Sequence, residues 1–396
     1  MANAIGSSDS FIQARFLDQP LRILYRLRLV LGLSVLLGSI LFLLGGSWDI
    51  EWHSVIGRDR TLIPPHQLML LGIALSGIAA LLSVLIETVF ARRSQEIAAS
   101  AFSFANFFYA PLGAYLAGFA ALSSGIGFTL DSYWHALYGI DVAIWAPFHI
   151  MLIGGSGMAS LGAAYMLISA AHLAERIGGV SGVVRACYIG ATISFAMILG
   201  IVALLLLDAY GQLGYVSLGF TTFNLFSVIA ATTGMWILVA AVKALPWRWS
   251  ASYIVIVYML FVVVVVLFVP PAIKQLAQDE QLTFRKALRA VPTVAQAWPI
   301  GVIYSAILLD VLRRRAQLKA WSPRKFTLLT ALITLPGWLP IALLIPYIFI
   351  GIWFAAGADG FILSALLGLA GSFVGIWLGQ RTGESLFDQE RAVADA

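Results

Sequence analysis

Long uninterrupted apolar runs constrain this chain of 396 residues more than any other feature of its sequence. A helix that crosses the hydrocarbon core of a bilayer needs about 20 predominantly apolar residues. Runs of that length recur along the whole chain, and most are too long and too uniform to be strands. Spans are predicted near residues 27–46, 65–90, 97–125, 147–171, 184–207, 219–242, 251–269, 292–311, 327–353 and 360–379. The sequence therefore predicts an all-α, polytopic integral membrane protein with about ten transmembrane helices.

The composition excludes the main classes of protein that face water on all sides. Only 11% of the residues are charged, whereas a soluble globular protein has about 25%. So few charged side chains cannot cover a water-facing surface, which excludes a soluble enzyme, a nucleic-acid-binding module and a disordered chain. The formal net charge of +5 is too small to indicate a nucleic-acid partner. Cys187 is the single cysteine, so an internal disulfide and a Cys-x-x-Cys metal site are excluded as well.

The basic residues predict which side of the membrane each loop faces, because arginine and lysine are enriched in cytoplasmic loops. In this chain they occupy every second loop, at Arg92–Arg93, Arg176 with Arg185, Lys243 with Arg248, and Arg313–Lys325. This places both termini of a multi-pass cell-membrane protein in the cytoplasm. The loops at 47–64 and 126–146 are then expected to face the periplasmic or extracellular side.

The segment 272–291 is the exception to this pattern. It is expected on the outer side, yet it contains four basic residues, Lys274, Arg285, Lys286 and Arg289. It also contains two acidic residues and a face of leucine and phenylalanine. We therefore expect an interfacial helix over this segment.

Two of the predicted outer loops carry the same pattern of aspartate, tryptophan and histidine. The first contains Asp49, Trp52, His53, Gly57, Asp59 and His66, and the second contains Asp131, Trp134, His135, Gly139, Asp141 and His149. A proline precedes the closing histidine in both copies, and the second copy has one extra residue. Four of the five histidines in the chain belong to these two motifs. The pattern indicates a tandem duplication of one helical hairpin, with the two copies parallel.

The spacing brings three potential metal ligands together in each copy. Asp49 and His53 are four residues apart, so their side chains lie on one face of a helix. Pro64 suits the first turn of the following helix, and His66 then projects back toward the first pair. The second copy repeats these relationships with Asp131, His135, Pro147 and His149. One carboxylate and two imidazoles, with other coordination positions open, suit copper, zinc or iron(II).

Four neighbouring residues are predicted to support these ligands without binding the metal. Asp59 and Asp141 can each accept a hydrogen bond from the N–H of a ligand imidazole. Trp52 and Trp134 fit an aromatic belt at the outer interface and would exclude water from the metal. The alternative is that interfacial aspartate, histidine and tryptophan serve here as helix caps, hydrogen-bond partners and headgroup anchors. Matching ligand types and offsets in two copies favour metal binding.

The two motifs resemble the metal sites in one of the integral membrane subunits of the copper membrane monooxygenases, which are the particulate methane and ammonia monooxygenases. The family pattern Asp-x3-His-x12-His, with proline just before the last histidine, is matched by Asp49, His53 and His66. The second family pattern, Asn-x3-His-x13-His, is matched in spacing, with aspartate in place of asparagine, by Asp131, His135 and His149. The resemblance covers residues 27–172, which is under half of the chain.

The resemblance implies a copper-dependent oxygenase subunit, since that family oxidises methane, ammonia or short alkanes with dioxygen in multi-subunit membrane complexes. Each triad would then hold copper, and the partners would be the lipid bilayer and other membrane subunits or a second copy of the chain. This chain departs from the family by about six further spans that lack histidine. A transporter or metal-handling permease, and a structural subunit of a larger membrane complex, stay open as alternatives.

The predicted organisation has four parts. Residues 1–26 form a cytoplasmic or interfacial segment, 27–172 a four-helix metal-binding region, 173–380 about six further spans, and 381–396 a cytoplasmic tail. Interfacial or paired positions are expected for three acidic residues near span ends, Glu87, Asp208 and Asp310. A close-packing face for another helix is predicted by glycines at every fourth position, Gly371, Gly375 and Gly379.

Overall fold

The computed structural model describes residues 6–57, 60–139, 143–210, 212–296, 299–339 and 346–388. Most of these residues are helical. The helices are α1 (Gly6–Val55), α2 (Pro64–Ala91), α3 (Gln95–Ala99), α4 (Leu112–Tyr138), α5 (Pro147–Arg176), α6 (Ser181–Leu206), α7 (Phe226–Ala244), α8 (Ser250–Asp279), α9 (Pro299–Leu318), α10 (Pro323–Thr334) and α11 (Pro346–Asp388). Two antiparallel hairpins of short strands accompany them, β1 (Phe102–Phe104) with β2 (Phe108–Ala110) and β3 (Tyr215–Ser217) with β4 (Thr222–Asn224).

Nine helices within the described ranges are long and apolar enough to cross a membrane. This confirms the prediction of an all-α, polytopic membrane protein. The predicted span at 327–353 is interrupted, because α10 ends at Thr334 and a 3-10 turn follows over Leu335–Trp338. Pro336 lies in that turn and has no N–H with which to continue an α-helix.

Two spans begin later than the apolar runs that predicted them. The run at 97–125 opens with α3 and the β1–β2 hairpin, and the long helix α4 starts only after Pro111. Likewise, the run at 219–242 opens with β4, and α7 starts at Phe226. Phe102 and Phe104 in β1 are about half exposed. Because this hairpin is rich in apolar aromatic residues, its sequence could not be distinguished from the start of a transmembrane span.

The two predicted hairpin copies are present and parallel. The first copy is formed by α1 and α2, and the second by α4 and α5. In both copies the second helix begins with proline in its first turn. The α4–α5 pair packs closely because small residues face each other: a Cβ added to Gly113 would lie 2.3 Å from the carbonyl oxygen of Gly162.

The second half of the chain packs its last helix against α7. A Cβ added to Gly375 would lie 2.4 Å from the carbonyl oxygen of Thr232, and one added to Gly379 would lie 2.7 Å from that of Trp236. Gly371 meets the same helix through the Thr232 side chain. The predicted glycine face is therefore a helix-packing face, and its partner is α7 of the same chain.

Two of the acidic residues near span ends are paired inside the protein. The Arg28 guanidinium donates to the Glu87 carboxylate, with 2.8 Å between Nη2 and Oε2, and both side chains are almost fully buried. Asp310 accepts the backbone N–H and the hydroxyl of Ser252, each at 2.8 Å. This agrees with the expectation that these acids are interfacial or paired.

The interfacial helix predicted over 272–291 is wrong. Helix α8 continues to Asp279, and residues 280–292 have no helical structure. Residues 280–293, which we call the cap segment, cross the end of α1 instead. The backbone N–H of Arg285 donates to the carbonyl oxygen of Val55 at 2.8 Å, and Thr293 donates its N–H and hydroxyl to Oε2 of Glu51 at 3.0 and 2.9 Å. The leucines of the segment pack against the protein core.

Candidate metal centres

The first Asp-His-His triad forms where α1 ends and α2 begins. Asp49 and His53 lie four residues apart near the end of α1, and His66 lies in the first turn of α2. The Nε2 atom of His53 is 3.4 Å from Oδ1 of Asp49, and Nε2 of His66 is 3.1 Å from the same oxygen. The two prolines that open α2 set this helix start and aim the His66 ring at the pair on α1.

The second triad repeats this geometry where α4 ends and α5 begins. The Nε2 atom of His135 is 3.3 Å from Oδ2 of Asp131, and Nε2 of His149 is 3.1 Å from Oδ1. In each triad the three ligand atoms lie within 4.8 Å of one another. The structure therefore brings all six predicted ligands together as two groups, each of which can hold a metal ion.

Backbone carbonyl groups orient three of the four imidazole rings. Nδ1 lies 3.2 Å from the Thr61 carbonyl oxygen in His66, 3.0 Å from that of Gly139 in His135, and 2.7 Å from that of Ala143 in His149. Because a carbonyl oxygen only accepts, the proton of a neutral ring is held on Nδ1. The lone pair of Nε2 then points at the carboxylate, which is the arrangement that metal ligation needs.

The carboxylates of the two triads also fit a bound cation. Oδ1 of Asp49 and Oδ1 of Asp131 are buried, and each faces an imidazole Nε2 at 3.1 Å. Buried polar atoms in proteins nearly always have a partner. Each of these oxygens lies about as far from imidazole Nε2 as two ligands of one metal ion lie from each other, so a metal ion between them would satisfy both kinds of atom.

The matching position of glycine in the two motifs has a structural reason at Gly139. This residue has φ = 85°, in the region that favours glycine. Its N–H donates to the His135 carbonyl oxygen and its own carbonyl accepts from Nδ1 of the same histidine. Gly57 has φ = 67° at the matching position of the first copy. In both copies a glycine therefore provides the left-handed backbone conformation that follows the first helix.

Both triads line one cavity of about 320 Å³. Its remaining wall is largely apolar and includes Phe42, Met69, Ile144, Leu152, Ile153 and Leu204. Ligand sites in proteins are typically concave and mostly apolar with a few polar groups. The two candidate centres therefore open into the same chamber, where a small molecule can reach both.

The predicted supporting residues have different outcomes. Trp52 is buried in the protein core, and Trp134 packs on Tyr138 and Phe148 with ring centroids 4.4 and 5.8 Å apart. Neither tryptophan lines the cavity. Asp59 and Asp141 lie outside the described residues, so their predicted hydrogen bonds to the ligand rings stay predictions.

Four cavity residues were not found as site residues from the sequence: Asp208, Lys286, Arg289 and Thr293. Asp208 follows α6, and its Oδ2 accepts the backbone N–H of Trp145 at 2.8 Å. The other three belong to the cap segment. The signal that could have located Lys286 and Arg289 was the excess of basic residues in a loop expected to be external.

Comparison of the chain with protein-family models, with curated proteins and with solved structures finds no match. The chemistry of the triads is therefore inferred from their geometry. Each offers one carboxylate oxygen and two imidazole nitrogens, fewer than the four or more ligands that first-row metal ions take. A metal held in this way keeps positions for water or for a molecule in the cavity.

Proposed function

We propose that this chain is a membrane-embedded metalloprotein that binds one metal ion at each Asp-His-His triad and acts on a small molecule in the shared cavity. The observation that carries the proposal is the convergence of three ligand atoms within 4.8 Å in both hairpins. The backbone contacts at Nδ1 support it, because they hold three of the imidazoles in the ligating tautomer.

Copper with dioxygen is the chemistry that we propose for these centres. An oxygen and nitrogen donor set without thiolate is compatible with copper, zinc or iron(II), and the spacing of both motifs resembles that of the copper membrane monooxygenases. Bound copper would supply one-electron redox chemistry and a position for dioxygen. The chain's own residues would hold the metal, fix the ring orientations and provide the apolar wall on which a substrate rests.

Metal content tests the proposal directly. The full chain, purified in detergent and loaded by dialysis against copper, is expected to retain two metal ions, measured by mass spectrometry of the dissolved sample. His53→Ala and His135→Ala should each remove one ion, and the double variant should remove both. His172→Gln changes the one histidine outside the motifs, at the opposite end of α5, and should retain two. Full metal content in the double variant would overturn the proposal.

The identity of the metal and the reaction need separate measurements. Electron paramagnetic resonance of the oxidised protein should give a copper(II) signal with nitrogen hyperfine structure, which zinc would not give. Oxygen consumption with a chemical reductant and a short alkane tests the oxidation. Metal flux into proteoliposomes without oxygen consumption would instead support a transporter, and a sample that binds no metal would support a structural role in a larger membrane complex.

A further inference from the structure

The cap segment brings positive charge to the metal cavity. Lys286 and Arg289 line the same chamber as both triads, and both side chains are exposed. Backbone contacts fix their position, since the Lys286 and Arg285 N–H groups both point at the carbonyl oxygen of Val55, at 3.4 and 2.8 Å. The backbone of the cap segment therefore positions these two charges beside the candidate metal centres.

The side chains of Lys286 and Arg289 form few hydrogen bonds with the described residues of the protein. In the described parts of the chain, Lys286 forms no side-chain hydrogen bond or ion pair, and Arg289 donates one hydrogen bond, to the Thr293 hydroxyl at 3.0 Å. Three carboxylates near the cap segment pair with groups other than these two cations: Glu280 with Arg60, Asp279 with Gln275, and Oε2 of Glu51 with Thr293. Donor groups of Lys286 and Arg289 thus remain available to a molecule in the chamber.

When both triads hold a metal ion, the chamber carries an excess of positive charge that favours binding of an anion. Three carboxylates line the chamber, those of Asp49, Asp131 and Asp208. Two divalent ions together with Lys286 and Arg289 outweigh these carboxylates. The triads are only partly exposed, so excess positive charge on their metals is costly beside the apolar wall, where the effective dielectric constant is lower than in water. A bound anion would offset this excess.

The position of these basic residues is unusual for this chain. The other basic clusters follow the opposite ends of the helices, such as Arg92–Arg93 after α2 and Lys243 at the end of α7. Basic residues on the triad side run against the usual charge bias of membrane proteins. Membrane orientation does not explain why these basic residues lie at the cavity, so we infer that they have a role in the cavity itself.

We propose that the shared cavity binds a small organic anion, with a carboxylate head held by Lys286 and Arg289 and an apolar body against Phe42, Leu152 and Leu204. The inference rests on the proposed function in one respect, because the loaded metals strengthen the attraction for the anion. It narrows the substrate class from small molecules in general to small amphipathic anions. A cavity of about 320 Å³ falls at the lower end of the volumes typical of ligand sites.

Binding of octanoate by the copper-loaded full chain in nanodiscs tests this inference, with octanol and inorganic phosphate as comparison probes. By calorimetry, octanoate should bind at least tenfold more tightly than either probe, since only octanoate has both the charge and the apolar tail. Lys286→Gln and Arg289→Gln should each weaken octanoate about tenfold, as loss of a hydrogen bond to a charged group does. Arg289→Lys should recover part of the loss.

Lys274→Gln provides the matched control. Lys274 is an exposed lysine near the C-terminal end of α8, shortly before the cap segment, and it does not line the cavity. It should leave octanoate binding unchanged. Equal binding of octanoate and octanol, or an equal effect of Lys274→Gln and Lys286→Gln, would overturn the inference. Phosphate binding as tight as octanoate would overturn the amphipathic assignment.

Two further readouts separate this inference from the proposed function and identify the source of the anion. Metal content is measured in every variant, so a chain that holds two ions without preferring octanoate overturns the inference alone. A chain that holds no metal overturns the proposed function. Nanodiscs with phosphatidylglycerol in place of phosphatidylcholine identify the source: competition with octanoate assigns the head group to a lipid, and unchanged binding assigns it to a free carboxylate.

Discussion

The Nε2 atom of His149 lies 3.1 Å from Oδ1 of Asp131, and Nδ1 of the same ring lies 2.7 Å from a backbone carbonyl oxygen. His66 has the same two contacts in the first hairpin, at 3.1 and 3.2 Å. The carbonyl fixes which nitrogen carries the proton, so the lone pair faces the carboxylate. Two acceptors held this close favour a cation between them, and the duplicated hairpin has kept that arrangement in both copies.

Asp131→Asn should weaken the second metal site without abolishing it. The amide keeps the shape of the side chain and one oxygen ligand, but it removes the negative charge that attracts a divalent ion. We expect metal affinity at this site to fall at least tenfold, measured by competition with a chelator of known affinity. The first site should keep its affinity.

Asp49→Asn is the matched variant, and it should weaken the first site while the second is unchanged. The two losses should be independent, so the double variant should lose affinity at both sites. Wild-type affinity at both sites in either single variant would contradict the assignment of these carboxylates as ligands.

Thr293→Val should loosen the cap segment over the metal cavity. The substitution keeps the size of the side chain but removes the hydroxyl that donates to Glu51 and accepts from Arg289. A hydrogen bond to a charged carboxylate contributes about 1.5–3 kcal/mol. We expect faster release of metal to an external chelator, with unchanged metal content at equilibrium in the absence of the chelator.

Thr129→Val is the control for this experiment, since the Thr129 hydroxyl donates to the Gly125 carbonyl oxygen of its own helix. Its metal release should match that of the unmodified chain. Identical release rates for Thr293→Val and the unmodified chain would contradict a closing role for the cap segment.

The sequence was sufficient to predict the helical class and the convergence of the six ligands, because both depend on local spacing. Hydrophobic runs of about 20 residues report spans directly, and an i, i+4 pair such as Asp49 and His53 shares a helix face by geometry alone. Proline at the start of the next helix then fixes where that helix begins, and this determines the direction in which the His66 side chain projects. Local signals of this kind survive without knowledge of the tertiary fold.

The rest of the cavity depends on contacts between distant parts of the chain. Thr293 meets Glu51 across 242 positions, and no local pattern encodes that pairing. The prediction of an interfacial helix over 272–291 rested on basic and acidic residues together with a face of leucine and phenylalanine. The leucines of the cap segment pack on the protein core, which a single sequence cannot distinguish from a membrane surface. The start of α4 was missed for a similar reason, since the aromatic residues of β1 are as apolar as a span.

Replacing both Arg28 and Glu87 should destabilise the protein less than replacing Arg28 alone. Both side chains are buried, and Arg28 also donates to the Ser169 hydroxyl at 2.8 Å. Removing one partner leaves an uncompensated buried charge, which costs about 3–5 kcal/mol. Arg28→Met is therefore expected to lower the thermal unfolding midpoint in detergent strongly. The double variant Arg28→Met with Glu87→Leu should recover much of the loss, and a double variant as unstable as the single one would contradict this account.

Adjacent glycines of α5 offer the sharpest test of the packing that positions the second triad. A Cβ at Gly155 would lie 2.3 Å from the Ser124 hydroxyl oxygen and 2.7 Å from the Ala120 carbonyl oxygen, both on α4. A Cβ at Gly154 would have no neighbouring atom of the described residues within 4 Å. Gly155→Ala should therefore force α4 and α5 apart, at a cost of about 1–3 kcal/mol.

Because Asp131 and His135 lie on α4 and His149 lies on α5, separation of these helices should also reduce metal affinity at the second triad and leave the first unchanged. Gly154→Ala adds the same methyl group one position away and should have neither effect; alanine favours helix, so its stability should be equal or slightly higher. Thermal unfolding and metal titration of the two variants in parallel measure both expectations. Equal behaviour of the two variants would mean that close contact between α4 and α5 does not set the geometry of the site.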